Sequence, residues 1–386
     1  MVTKSVTPRG RPRGLTLVLT SACNLRCSYC YQDVRGSRRM RWATVDRAME
    51  LLFRARRRDS SIVFYGGEPL LAFELVRRTV EEASRRRPRG RRLAFHLSTN
   101  GLLLDPAKAR FLANHGVETQ LSFDGSRQAQ DLRAPRTFGR IARGLAGLRR
   151  ECADYYRHLL EVAVTVTPAA VPTLAESVHW LVKRGIGKIT LNAAAARDRD
   201  WTAEHERELD RQLNRVYRRS LRLFERTGRV PVTLFRRGPG RPVPTGESEL
   251  CTVGECRSLT VDVDGQVYGC PVLARSYQTF PTVGLRRWVA PLRIGPVDAP
   301  DLEARLRSFR AVVHRSPLFG QRERKHSGGR RCSECPSEGG CSVCPLDIAR
   351  GSDDPHRVPD FICAFNRVSL SYRQQFPPQL TVAPPG

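Results

Sequence analysis

Cys23-Asn24-Leu25-Arg26-Cys27-Ser28-Tyr29-Cys30 is a C-x₃-C-x₂-C run. It follows directly on residues 15–20, a short apolar stretch that reads as a β-strand. Three thiolates on one tight loop suit three corners of an iron–sulfur cubane and leave one iron open to another ligand. Purely electron-transferring clusters take four cysteines. A closed zinc site would also want a fourth Cys or His close by, and the nearest histidine is His96.

Outward from this loop, residues 15–227 alternate between strand-like and helix-like stretches. Strands are expected at 15–20, 62–65, 93–98, 118–123, 160–167 and 188–191. Their near-continuous apolarity predicts burial on both faces, as in a parallel sheet. Helices are expected at 44–58, 72–87, 106–115, 138–151, 171–184 and 202–227. In the first, Val45, Ala48, Met49, Leu52 and Phe53 recur at helical spacing. Gly116 and Gly185 stand where C-terminal caps belong. Six strand–helix units predict an α/β fold, a partial (β/α)6 barrel or a doubly wound sheet.

The domain plan follows from composition. Residues 1–14 form a basic segment and 15–227 the barrel. Residues 228–249 read as a linker, because positions 228–244 hold four prolines and three glycines. A cysteine-rich region spans 250–374, and 375–386 form a loose, proline-rich tail. Asp264-Gly265, between two apolar stretches, predicts a hairpin turn.

The chain has 386 residues, 12 cysteines and a formal charge of +28, carried by 61 Arg and 5 Lys. It is long enough to bury a core without disulfides. No run of 18 apolar residues predicts a membrane span, and the N-terminus has no apolar signal-peptide core. The expected location is cytoplasmic. Structural disulfides are rare there, so the cysteines call for a metal. Cys152, with no neighbour at ligand spacing, reads as a small buried hydrophobe. The arginine excess is either coding bias or a surface for a polyanion such as an acidic peptide; the segments 35–42 and 322–331 are where such a peptide would meet it.

The N-terminal run resembles the radical S-adenosylmethionine (radical SAM) family, whose motif is C-x₃-C-x-aromatic-C, with Tyr29 in the aromatic position. The resemblance implies that Cys23, Cys27 and Cys30 hold a 4Fe-4S cluster. Its open iron would bind S-adenosylmethionine and cleave it to a 5′-deoxyadenosyl radical. Gly66-Gly67-Glu68-Pro69 after the second strand matches the family's GGEP. The two glycines let a ligand approach the backbone, and Glu68 is expected to meet the methionine ammonium. Ser98 and Asn100, after the third strand, are the expected ribose or methionine contacts. Ser122, in Ser122-Phe123-Asp124-Gly125, resembles another cofactor contact. The downstream D-x-x-R element is one residue short here, which leaves Arg133 and Arg136 both open as the partner of the cofactor carboxylate. All these motifs follow strands, and active sites of (β/α) barrels lie at that end.

Eight further cysteines, Cys251, Cys256, Cys270, Cys332, Cys335, Cys341, Cys344 and Cys363, would make two four-thiolate sites. By spacing alone, zinc ribbons fit equally well. The pattern resembles the SPASM extension of radical SAM enzymes, although Cys341-x₂-Cys344 is one residue short. By that resemblance Cys251, Cys256, Cys270 and Cys344 hold one auxiliary 4Fe-4S cluster. Cys332, Cys335, Cys341 and Cys363 hold a second, making three clusters in all.

SPASM relatives mostly modify peptides or proteins. In sulfatase maturases an Asp follows the hairpin cysteine and resembles a general base; here Cys270 is followed by Pro271. The candidates left for a base are Asp124, Asp262 and Glu255. The leading expectation is a maturase that crosslinks side chains of a ribosomally made precursor peptide, bound directly or through a separate leader-binding protein. An electron donor such as flavodoxin or ferredoxin is implied. The alternatives are oxidation of a protein residue, of the sulfatase or amine-dehydrogenase type, and a zinc-ribbon nucleic-acid binder. Few aromatics argue against the last.

Overall fold

The computed structural model describes residues 12–30, 32, 36–55, 57–194, 201–236, 252–277, 283–319, 324–337, 340–341, 343–351 and 354–377. Cys251, most of the basic N-terminal segment, most of the expected linker and the end of the tail lie outside them. So do parts of both arginine-rich segments.

The strand–helix alternation is present. In chain order it runs β1 (Gly14–Val18), α1 (Trp42–Arg54), β2 (Asp59–Tyr65), α2 (Phe73–Arg86), β3 (Arg92–Thr99) and α3 (Pro106–Asn114). There follow β4 (Val117–Ser122), α4 (Arg127–Arg133), α5 (Phe138–Glu151), β5 (Leu160–Val166), α6 (Leu174–Lys183), β6 (Ile189–Ala193) and α7 (Ala203–Thr227). The sequence reading did not include α4, a short helix with too few apolar positions to show a period. Its start is marked instead by Ser126, whose side chain caps Ala129 N.

Beyond α7 come β7 (Ser258–Val261), β8 (Gln266–Tyr268), α8 (Val283–Val289), β9 (Arg293–Pro296) and α9 (Leu302–Arg315). The chain continues through β10 (His326–Ser327), β11 (Arg330–Arg331), α10 (Pro345–Gly351) and α11 (Asp360–Gln375). Among the described residues, nine strands make one open sheet in the order β6-β5-β4-β3-β2-β1-β7-β8-β9. From β6 to β7 every pairing is parallel, and β8 and β9 are antiparallel.

Two expectations change here. First, the hairpin does not stand apart from the barrel sheet: β7 pairs with β1 from Gly14↔Ser258 to Leu17↔Val261. An unpaired edge beside the first strand would leave its backbone groups unsatisfied, and β7 meets that need. Second, the start of the expected linker is packed. Val232 bridges Ile189 on β6, and Phe235 is fully buried, stacked on Phe376 with ring centroids 5.0 Å apart. Its prolines conceal an apolar Val-x-Val-x-x-Phe pattern that covers the edge strand.

Burial on both faces holds for β1 but not for β2 to β4. There, Ile62, Phe64, Phe95, Leu97 and Leu121 are buried, while alternate residues are half-buried or exposed. His96, Ser98, Glu118, Gln120 and Ser122 share that second face by parity and register. Glu161 joins them, accepting from Thr190 and Lys188. From β3 to β5 this face is largely polar, whereas β2 contributes Val63, opposite His96.

Candidate active site

The cysteine loop leaves β1 and is stitched to the Gly66–Pro69 turn by backbone bonds. Leu19 N donates to Tyr65 O at 2.8 Å, Gly67 N to Thr20 O at 2.8 Å, and Glu68 N to Ala22 O at 2.9 Å. Gly66 has φ +151, and a Cβ there would lie 2.7 Å from Thr20 O. A Cβ on Gly67 would lie 2.3 Å from Ala22 O and 3.0 Å from Cys23 Cβ. Both glycines are thus required by close approach of the cysteine loop itself. Pro69 opens a short 3₁₀ turn behind them.

Glu68 is fully buried and is the hub behind this turn. Its Oε1 accepts from Leu70 N at 3.0 Å and from Thr99 Oγ1 at 2.7 Å, and Oε2 accepts from Asn100 N at 2.8 Å. Three of a carboxylate's four acceptor positions are used inside the protein. Burial pushes its carboxyl up, and those three donors oppose the shift. Asn100 in turn donates from Nδ2 to Asn24 Oδ1 at 2.7 Å and lies 3.9 Å from Cys23 Sγ. One carboxylate therefore ties the glycine turn, the end of β3 and the cysteine loop together.

The far side of the loop rests on α4. Ser28 Oγ donates to Leu132 O at 2.7 Å, and Ser28 N to Arg133 O at 3.3 Å. The Arg133 guanidinium forms a bidentate pair with Asp124, Nε to Oδ2 at 2.8 Å and Nη2 to Oδ1 at 2.7 Å. Tyr29 donates to the same Oδ2 at 3.0 Å, and its ring lies 5.3 Å from the guanidinium. Burial raises the Tyr29 phenol strongly. Arg133 is held charged: burial opposes the charge, but the Asp124 carboxylate outweighs it. Arg136, by contrast, is exposed, with φ 65 and its N–H on Asp131. Of the two arginines left open by the sequence, only Arg133 reaches the cysteine loop.

Cys23, Cys27 and Cys30 are half-buried. Burial pushes Cys27 up to about 11; Arg133 opposes this, while Cys30 and Cys23 add to it. Cys27 therefore lies close to both other thiols and to the Arg133 guanidinium. That donor set, on a loop braced from both sides, fits an iron–sulfur cluster bound by three thiolates. Ser98 and Ser122 lie on the inner sheet face at the strand ends that bear this loop.

The base candidates fare differently. Asp124 accepts from Arg133 twice, from Tyr29, and from Thr165 N at 2.9 Å. All four acceptor positions are taken by donors from the protein itself. Glu255 is ion-paired with Arg257. Asp262 is buried, accepts from Val263 N, Ser276 N and Ser276 Oγ, and lines a cavity of about 240 Å³ with Ser21, Arg38 and Arg275. Burial raises its carboxyl. Thr99, Asn24, Ser28 and Thr165 were not foreseen; apart from their closeness to the motifs, nothing in the sequence marks them.

In the C-terminal region Cys332, Cys335, Cys341 and Cys363 line one cavity of about 750 Å³. Cys344 is pushed up to about 12, mainly by burial, and also senses Asp347 and Cys270. Cys256 is buried and raised to about 12 by that burial, with Sγ 3.9 Å from Leu306 O. Cys152 is buried, as expected, with Sγ 3.6 Å from Pro106 O.

The radical SAM superfamily pattern matches residues 17–160, from β1 to the start of β5. This chain carries a radical SAM domain. It is a radical SAM enzyme. A serine-type anaerobic sulfatase-maturating enzyme of Klebsiella aerogenes is 26% identical over 83% of this chain and 77% of its own. Among solved structures, anSMEcpe with bound AdoMet and Cp18Cys peptide shares the fold at TM-score 0.69 and 18% identity, covering 94% of this chain and 97% of that one. Streptococcus suis SuiB bound to its precursor peptide SuiA gives TM-score 0.54 and 13% identity over 92% and 76%. The radical SAM domain implies S-adenosylmethionine and one 4Fe-4S cluster. Among the described residues, no helix is long and apolar enough to cross a membrane.

Proposed function

We propose that this radical SAM enzyme is a peptide maturase that installs a crosslink between side chains of a ribosomally made precursor. Cys23, Cys27 and Cys30 hold the radical SAM cluster, which when bound supplies a hydrogen-abstracting radical from S-adenosylmethionine. Gly66, Gly67, Ser98, Asn100, Ser122 and Arg133 surround the cofactor. The braces described above hold the loop still, so the ligand is met by a preorganised wall. Two auxiliary 4Fe-4S clusters sit on Cys251, Cys256, Cys270 and Cys344 and on Cys332, Cys335, Cys341 and Cys363. The shared cavity supports the second set, and the Cys344–Cys270 coupling supports the pairing within the first. Peptide substrates are favoured because both structural neighbours were captured with peptides. The precursor binds directly or through a separate leader-binding protein, and a flavodoxin or ferredoxin supplies electrons.

The observation that carries crosslinking over formylglycine formation is the residue after Cys270. Pro271 opens a 3₁₀ turn that buries Leu273, and no carboxylate occupies that place. The second reading, oxidation of a protein residue, is kept by the sulfatase-maturase relative. Anaerobic co-expression with a neighbouring short open reading frame tests both. Crosslinking predicts a precursor that loses two hydrogens and resists sequencing across the link. A product that reacts with hydrazide as an aldehyde would favour the second reading.

A further inference from the structure

Helix α11 carries Cys363 in its first turn and Arg367 one turn later, on the same face. Both line the cavity shared with Cys332, Cys335 and Cys341. Arg367 interacts electrostatically with Cys363 and Cys335. Glu206, in the first turn of α7, lines the same cavity and accepts from Arg367 Nη2 at 2.6 Å. Further along the two helices, Tyr372 donates to Asp210 Oδ1 at 3.0 Å, and Asn214 Nδ2 donates to Tyr372 at 3.1 Å. Residues 206, 210 and 214 occupy consecutive turns of α7 and dock α11 along its length. Glu206 therefore positions Arg367 in the cavity that the cysteines line.

The Arg367 and Glu206 side chains are 41% and 34% exposed, and a pair that wet adds little to stability. Its place in the cavity lined by four cysteines gives it a different use. A cluster gains one negative charge on reduction, so a nearby cation favours the reduced form and a nearby anion the oxidised form. We propose that Arg367, positioned by Glu206, sets the reduction potential of the auxiliary cluster on Cys332, Cys335, Cys341 and Cys363, with Arg367 raising the potential and Glu206 lowering it. The inference rests on the auxiliary-cluster reading above.

The test uses full-length protein reconstituted anaerobically, iron counted per chain, and a dithionite titration followed by electron paramagnetic resonance. Arg367→Gln should keep its iron and shift one cluster toward the oxidised form about tenfold, about 59 mV for a one-electron couple. Arg367→Lys should stay near wild type, and Glu206→Gln should shift the same cluster the opposite way. Unchanged potentials in Arg367→Gln with iron retained would overturn the inference alone. Should Arg367→Gln lose iron, the other two variants decide: a rise in Glu206→Gln with Arg367→Lys unchanged supports it, and any other pattern overturns it. Wild-type protein holding only about four irons per chain would instead overturn the auxiliary-cluster reading, and this inference with it.

Discussion

Arg133 and Asp124 meet in a bidentate ion pair, 2.7 and 2.8 Å long, with both side chains buried. The pair joins the end of β4 to α4, and α4 in turn carries the cysteine loop through Ser28. Removing one partner leaves a buried charge without its counterpart. Asp124→Asn should cost about 3–5 kcal/mol in anaerobic denaturant unfolding. It should also weaken iron retention at the first site. Arg136→Ala should change neither, because that side chain is exposed. Equal losses from both variants would contradict the assignment of Arg133 to the loop.

Gly67→Ala places a methyl group 2.3 Å from Ala22 O. Backbone cannot swing aside as a long side chain does, so the loop bearing Cys23 must move. The expected cost is about 1–3 kcal/mol, with loss of S-adenosylmethionine cleavage and of iron from the first cluster. Full iron content and wild-type cleavage in this variant would show that the loop tolerates displacement.

Glu68→Gln puts an amide where three donors converge on a carboxylate, so one buried donor faces another. A loss of about 1–3 kcal/mol at pH 7 is expected. The pH dependence has a definite sign. Burial raises the folded carboxyl above its usual 4.5. The stability this group contributes is therefore greatest below 4.5 and declines as pH climbs through the folded value. The advantage of wild type over Glu68→Gln should shrink as pH rises through that window. Unfolding curves in which the advantage grows would mean the three hydrogen bonds outweigh burial.

Cysteine replacements separate the clusters by counting. Cys27→Ala should lose about four irons per chain and all S-adenosylmethionine cleavage. Cys341→Ala should lose about four irons from the second auxiliary site while cleavage at the first persists. Iron analysis beside a 5′-deoxyadenosine assay reads both. Cleavage surviving in Cys27→Ala would remove the triad from the chemistry.

The sequence by itself determined the alternation of strands and helices, since a strand's short apolar run and a helix's period of 3.6 are local properties. Most expected elements fall within a few residues of the observed ones. It also determined that the cysteine loop, Gly66–Pro69, Ser98–Gly101 and Ser122–Gly125 would converge, because parallel strands deliver every following loop to one end. Only the tertiary structure decided how those residues divide their work. Glu68 and Asp124 read alike as carboxylates near a site, yet Glu68 keeps one acceptor position and Asp124 none. Arg133 and Arg136 read as equivalent, and α4 buries the first while exposing the second. The hairpin's place on the edge of β1 is likewise invisible in order of residues. Hydrogen-bond partners distant in the chain, such as Thr165 for Asp124 or Glu206 for Arg367, leave no local trace in composition or spacing. They exist only once folding has brought the elements together.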